Sequence, residues 1–319
     1  MRIMISADME GLSGVSDGRM VQPIFPEFYV QGQELLSHDI NAAIRGLRSV
    51  GSREIDVLDL HGGDGTNIIP EKLEPGVNFL GGFRPWIEMM RNDEMRRYDG
   101  WIQLGMHSTA GTLDGFLSHT NGTNIALRHN GKAVGEIEEF AWSAGHFGIP
   151  TLFVAGDDAA AREAEYHLPG VKTVVVKKSR ERAEADCLPL DEAAALIEAA
   201  AAETFKNLDA AQVYTIPSPV RVEVIFADPK MTFSASLIPK SEMIDEVTVA
   251  YTAQDYVEAL HFLFTAAAMS NASWSGPMLE RLSQLEGAKE AIYDYWLEWG
   301  TNWLYQPPPF PAVTYEKTA

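Results

Sequence analysis

Three places in this sequence set metal-binding side chains beside glycine. They are Asp8-Met9-Glu10-Gly11, Asp59-Leu60-His61-Gly62-Gly63 and Gly105-Met106-His107. Each follows a short apolar run of the kind that forms a buried strand, and in an open parallel sheet ligands bind beyond the carboxyl ends of the strands. Asp8 and Glu10 stand two apart, so in extended chain both carboxylates point to the same side. The glycines let the backbone turn sharply and keep the site open. Singly, each group has an ordinary explanation. A strand-end aspartate caps a loop, a histidine in an apolar strand is a satisfied core group, and HGGDG is a turn that does not match a phosphate loop. Three together make a site. Carboxylate and imidazole without thiolate suit a catalytic zinc rather than a structural one.

The elements that must position these groups alternate between strand and helix. Residues 2–7, 54–60, 99–105, 150–155 and 172–178 read as strands. Helical patterns cover 27–50, where Leu36, Ile40, Ala43 and Leu47 share a face and Gly51 follows, then 135–147, 158–167 and the alanine-rich 191–208 opened by Asp191. Asn130-Gly131, inside 123–134, signals a hairpin, and Asp157-Asp158 reads as an N-cap. This alternation predicts an α/β fold, a mostly parallel sheet with helices on both faces. Beyond Pro217, alternating runs at 219–226 and 246–252 and a helix at 255–270 predict a smaller α+β unit.

The expected domains are an α/β metallohydrolase domain over 1–215, a smaller α+β domain over 216–275 that could include the 117–134 hairpin, and a C-terminal extension over 276–319. In that extension a helix over 276–305 would align Ile292, Trp296, Trp299 and Trp303 as a packing or subunit-contact stripe. The tail QPPPFP then reads as an extended arm.

The 319 residues carry 45 acidic against 25 basic side chains, a formal charge of −20. That balance disfavours nucleic-acid backbones and anionic membrane surfaces, so neither is an expected partner. No apolar run is long enough for a membrane span. At 46% hydrophobic the chain can bury a sizeable core, which excludes wholesale disorder. The single Cys187 cannot form an internal disulfide and the N-terminus lacks a signal peptide's apolar stretch, so a cytoplasmic location is expected. The glycosylation patterns at Asn121 and Asn271 therefore carry no weight. His38, His129, His146, His167 and His261 are given no role.

Six segments sharpen the reading: DMEGLSG (8–14), LDLH (58–61), GMHS (105–108), GFLSH (115–119), VGEIEEF (134–140) and VAGDDAAAREAE (154–165). In this order, from residue 1 to about 270, the chain resembles the zinc-dependent D-aminopeptidases of the dipeptide-permease type. DMEG with the later SH and VGE segments is the specific part. The resemblance implies two zinc ions per chain and a ring-like homo-oligomer, such as a decamer, with enclosed active sites. Carried over residue by residue, Asp8 bridges the ions, Glu10 and His107 complete one, and His61 and Glu136 the other. His119 becomes the catalytic histidine, cast in the family as nucleophile, whereas the sequence alone makes it a candidate for proton transfer or attack. Asp59, Asp157 and Asp158 are candidate supports.

Three carboxylates against two divalent ions leave about one positive charge, which a bridging hydroxide would neutralise while serving as nucleophile. The expected function is hydrolysis of short peptides or amides with an N-terminal D-residue. The sequence departs from the family pattern in two places. The stretch from His107 to His119 is one residue longer, with Asp114 where proline is usual, and the region after about 275 has no counterpart. Three alternatives stay open. The same centre could act on another small amide or lactam, or the chain could be a binuclear metallophosphoesterase, although no Arg or Lys accompanies the strand-end ligands to clamp a phosphate. It could also be a metal-binding assembly protein, which would lack an open coordination position.

Overall fold

The first apolar run forms β1 (Arg2–Ala7), with β2 (Glu54–Asp59) and β4 (Gly100–Met106) parallel on either side. The computed structural model describes residues 1–122 and 125–295. In it β3 (Asn78–Gly81), β7 (Thr151–Asp157), β8 (Lys172–Glu181) and β9 (Glu184–Cys187) complete a seven-stranded sheet. The order is β3-β2-β1-β4-β7-β8-β9. Every neighbouring pair is parallel except the β8–β9 hairpin. The α/β expectation therefore holds.

Strand periodicity divides the core in two. Ile3, Ile5 and Ala7 face Leu36 and Ile40 of α1 (Pro26–Ser49) and Ile197 of α5 (Leu190–Lys206). Met4 faces the opposite core, with Trp101 and with Phe140 of α3 (Glu136–His146). Each such buried side chain contributes about 1.5–3 kcal/mol relative to an exposed one.

The second core closes on a five-stranded antiparallel sheet. Its strands are β5 (Ile125–His129), β6 (Lys132–Val134), β10 (Val220–Phe226), β11 (Glu242–Met243) and β12 (Thr248–Ala253), in the order β11-β12-β10-β5-β6. The Asn130-Gly131 hairpin thus pairs with a distant strand, Leu127 opposite Val224. Both turn residues have positive φ, 49° and 80°, as a tight hairpin requires. Helices α2 (Phe83–Arg91), α4 (Asp158–His167), α6 (Pro229–Ser236) and α7 (Tyr256–Leu282) complete the fold.

Two boundaries differ from expectation. The 255–270 helix continues to Leu282, and residues 283–287 then turn before helix resumes at 288, so 276–305 is not one helix. Gly287, with φ of 72°, closes that turn. Of the tryptophan stripe, Trp296, Trp299 and Trp303 lie outside the described residues, as does the proline tail. Helix α5 starts at Leu190 after Pro189, and Asp191 sits in its first turn, where its charge suits the helix dipole. Among the described residues no helix is long and apolar enough to cross a membrane.

Candidate metal centre

Strands β1 and β4 end in contact because glycine permits it. Gly105 has φ of 69°, and a Cβ there would fall on the carbonyl oxygen of Asp8. A Cβ on Gly11 would likewise fall on that of Met106. Instead, the Gly11 N–H donates to the Gly105 carbonyl at 2.7 Å and the Asp8 N–H to that of Leu104 at 2.9 Å. This close approach delivers Asp8 and Glu10 to His107.

Asp8 stands between two imidazoles. Its Oδ1 lies 3.2 Å from His61 Nδ1, and its Oδ2 lies 3.3 Å from His107 Nε2. Glu10 Oε2 is 3.1 Å from His61 Nδ1, and Glu136 Oε1 is 3.6 Å from His107 Nε2. Glu136 opens α3, and its Oε1 also accepts from the Asn121 N–H at 2.7 Å. Asp8, Glu10 and His61 offer ligand atoms within 4.8 Å of one another, and so do His107, His119 and Glu136. The expected pairing joined Glu10 with His107 and His61 with Glu136. Proximity here joins Glu10 with His61 and Glu136 with His107, with Asp8 central to both.

The second nitrogen of each ring is committed to the backbone. His61 Nε2 donates to the Val21 carbonyl at 2.8 Å, His107 Nδ1 to that of Ser108 at 3.1 Å, and His119 Nδ1 to that of Leu117 at 2.8 Å. A carbonyl only accepts, so these bonds fix the tautomers and turn the other nitrogens of His61 and His107 toward the carboxylates. His107 Nε2 is buried between the carboxylates of Asp8 and Glu136 and makes no well-aligned hydrogen bond among the described residues. An imidazole nitrogen left so among three carboxylates marks a cation site, and its oxygen and nitrogen donors fit zinc.

The electrostatics of these side chains agree. Burial alone would raise Asp8, but bonds and charge from His107 and His61 hold it well below the usual carboxylate range. Burial alone would lower His61 and His107. For His61 the Glu10 charge and the Asp8 bond outweigh burial, and for His107 the charge of Glu136 and then the Asp8 bond do so, holding both well above 6.5. The three carboxylates thus demand positive charge in their midst.

Several positioning residues escaped sequence reasoning. Lys177, in the middle of β8, is fully buried, although a lysine ordinarily stays at the surface. Its Nζ donates to the carbonyls of Glu10 and Val15 and lies 4.2 Å from the Phe116 ring centre, and burial pushes it down to about 8. Buried Glu138 accepts from the Gly135 N–H at 2.7 Å, and Glu163 from that of Thr109 at 2.6 Å, bracing the entries to Glu136 and from His107. Leu117 and Asn121, both at left-handed φ of 51° and 53°, bracket His119. Strain of this kind gathers where a side chain must be aimed.

Asp59 faces away from the cluster, and it accepts from the Asn67 and Ile68 N–H groups at 2.8 and 3.2 Å. Asn67 Nδ2 in turn donates to the His61 carbonyl at 2.5 Å. Asp157 caps α4 through the Ala160 N–H and holds that of Phe116, at 2.7 and 2.8 Å. Asp158 and Asp114 both pair with Arg162, at 3.0 and 2.6 Å. Asp8, Glu10, His61, His119 and Glu136 line a cavity of about 400 Å³, whose wall also includes Asp64, Phe83 and Arg182, while His107 is buried behind it.

Residues 1–265 match the family Peptidase_M55, described as D-aminopeptidase. A D-aminopeptidase of Bacillus subtilis (strain 168) is 32% identical over 264 residues, covering 81% of this chain and 94% of that protein. Among solved structures, the Zn-dependent D-aminopeptidase DppA from Bacillus subtilis, described as a self-compartmentalizing protease, aligns with a TM-score of 0.77. The identity is 28%, over 85% of this chain and 98% of that one.

Proposed function

The chain belongs to the D-aminopeptidase family, and on that premise we propose that it hydrolyses short peptides or amides bearing an N-terminal D-residue at a two-zinc centre. Asp8, Glu10, His61, His107 and Glu136 would hold the ions, with Asp8 shared between them. The observation that carries this reading is Asp8 set between two imidazoles whose remaining nitrogens are already bonded to backbone carbonyls. Zinc supplies Lewis acidity toward the scissile carbonyl and activates water for attack.

The chain's own residues do the rest. Leu117 holds the His119 ring through Nδ1, leaving Nε2 free to accept or deliver a proton at the cavity floor. Glu136 is oriented by Asn121, and Glu10 by Lys177 through its carbonyl. A cavity of about 400 Å³ suits a small substrate rather than a folded protein. Self-association into a ring-like homo-oligomer belongs to the same reading, supported by the self-compartmentalizing description of the B. subtilis structure. So does a cytoplasmic location, supported by the lone Cys187.

Purification without chelator, metal analysis and assay against D-Ala and L-Ala p-nitroanilides test the proposal. It expects two zinc ions per chain, preference for the D-substrate, and loss of both metal and activity in Asp8→Ala and His107→Ala. Activity that survives those substitutions would refute it. Turnover of phosphodiesters without amides would put the phosphoesterase reading in its place.

A further inference from the structure

The cavity wall carries four carboxylates and one guanidinium among histidines and neutral residues. Asp8, Glu10, Asp64 and Glu136 line it, and Arg182 is the one Lys or Arg among its lining residues. Arg182 arrives from outside the metal-binding segments, at the tip of the β8–β9 hairpin. That tip is pinned on both sides. The Leu117 N–H donates to the Arg182 carbonyl at 2.8 Å, and the Gly18 N–H to that of Ala183 at 3.1 Å. Leu117 is also the residue whose carbonyl fixes His119, and the Gly18–Val21 turn supplies the carbonyl that fixes His61. The hairpin tip is therefore held in the same backbone network as two imidazoles of the centre.

The guanidinium itself is uncommitted. Arg180 pairs with Glu184 and Asp186 at 2.9 and 3.6 Å, and Arg19 is locked to Asp17. For Arg182, no side-chain hydrogen bond or ion pair occurs among the described residues. The side chain is exposed, so its guanidinium is free to meet an anionic ligand entering the cavity. The planar fork of arginine matches a carboxylate bidentately.

We infer that Arg182 is a specificity residue that takes the C-terminal carboxylate of a di- or tripeptide whose first bond lies over the metal centre. The inference rests on the peptidase reading and narrows its substrate from amides in general to short peptides with a free C-terminus.

The test compares D-Ala-Gly with D-Ala-Gly amide, which share the scissile bond, in the zinc-loaded wild type, Arg182→Ala and Arg182→Lys. Wild type should favour the free acid by roughly 10- to 100-fold in kcat/KM. Arg182→Ala should lose that preference through a higher KM for the acid, with the amide unchanged, and Arg182→Lys should fall between. The side chain makes no internal bond, so all three proteins should melt alike. Equal losses on acid and amide would overturn the inference by placing Arg182 at the reacting atoms. An unchanged preference in Arg182→Ala would overturn it too. Failure of wild type to cleave either compound would instead overturn the peptidase reading beneath it.

Discussion

The rings of His107 and His119 lie face to face, their centroids 4.0 Å apart and their planes 16° from parallel. His107 is turned toward Asp8 and Glu136, and His119 lines the cavity, which separates a metal-facing ring from a substrate-facing one. His119→Ala should keep its zinc and lose about 10²- to 10⁴-fold in kcat. Metal analysis beside steady-state kinetics checks this, and zinc lost with the ring would make His119 a ligand instead.

Removing the metal should change how stability depends on pH. Metal-free His61 and His107 are held well above 6.5 by the surrounding carboxylates. A raised folded value gives stability that is complete below the unfolded value of about 6.5 and is lost as pH rises through the folded value. Chelated protein should therefore melt lower as pH is raised above neutral. Zinc must displace those protons, so its binding should release protons at pH 7, read by calorimetry in buffers of different ionisation enthalpy. Binding without proton release would contradict the arrangement.

Lys177→Met should leave the carbonyls of Glu10 and Val15 without their buried donor. The expected cost is about 1–3 kcal/mol, with weaker zinc retention because Glu10 is no longer anchored. Chemical denaturation and dialysis against a graded chelator measure the two effects. A variant as stable and as metal-tight as wild type would show that the ammonium merely fills space.

His129 supplies a pH effect remote from the centre. It is buried against Trp142 and Tyr256, with ring centroids 5.8 Å away in each case, and neither nitrogen has a hydrogen-bond partner among the described residues. Burial lowers it to about 4. A depressed folded value gives stability present above the unfolded value of about 6.5 and lost as pH falls toward 4, amounting to about 3 kcal/mol in full. His129→Phe should keep the aromatic packing and flatten that part of the profile. Parallel melting curves from pH 7 to 4 would show the difference, and superimposable slopes would rule it out.

Much of the centre was legible because its signals are local. Strand runs ending in Asp8, His61 and His107 are covered by period and residue type, and the parallel α/β sheet follows from their alternation with helices. Glu136 and His119 needed the family resemblance, since a glutamate opening a helix and a histidine in a loop look ordinary alone. The α7 boundary differs from expectation because the helix runs on past residue 270 to Leu282.

What the sequence determined by itself is the set of donors and the strand ends that carry them, since side-chain type and the two-residue period are properties of short segments. Only the tertiary structure decided which donors meet. Glu10 lies against His61, and Gly11 and Gly105 set how closely β1 and β4 bring Asp8 to His107. Val21, Ser108 and Leu117 orient the imidazoles through carbonyls that every residue possesses, so no side chain marks them. Lys177 and Arg182, both from the β8–β9 hairpin, stand more than 160 positions from Glu10 in the chain, yet one braces the centre and the other lines its cavity. Contacts between such distant segments follow from how the layers pack, and short-range sequence patterns do not encode them.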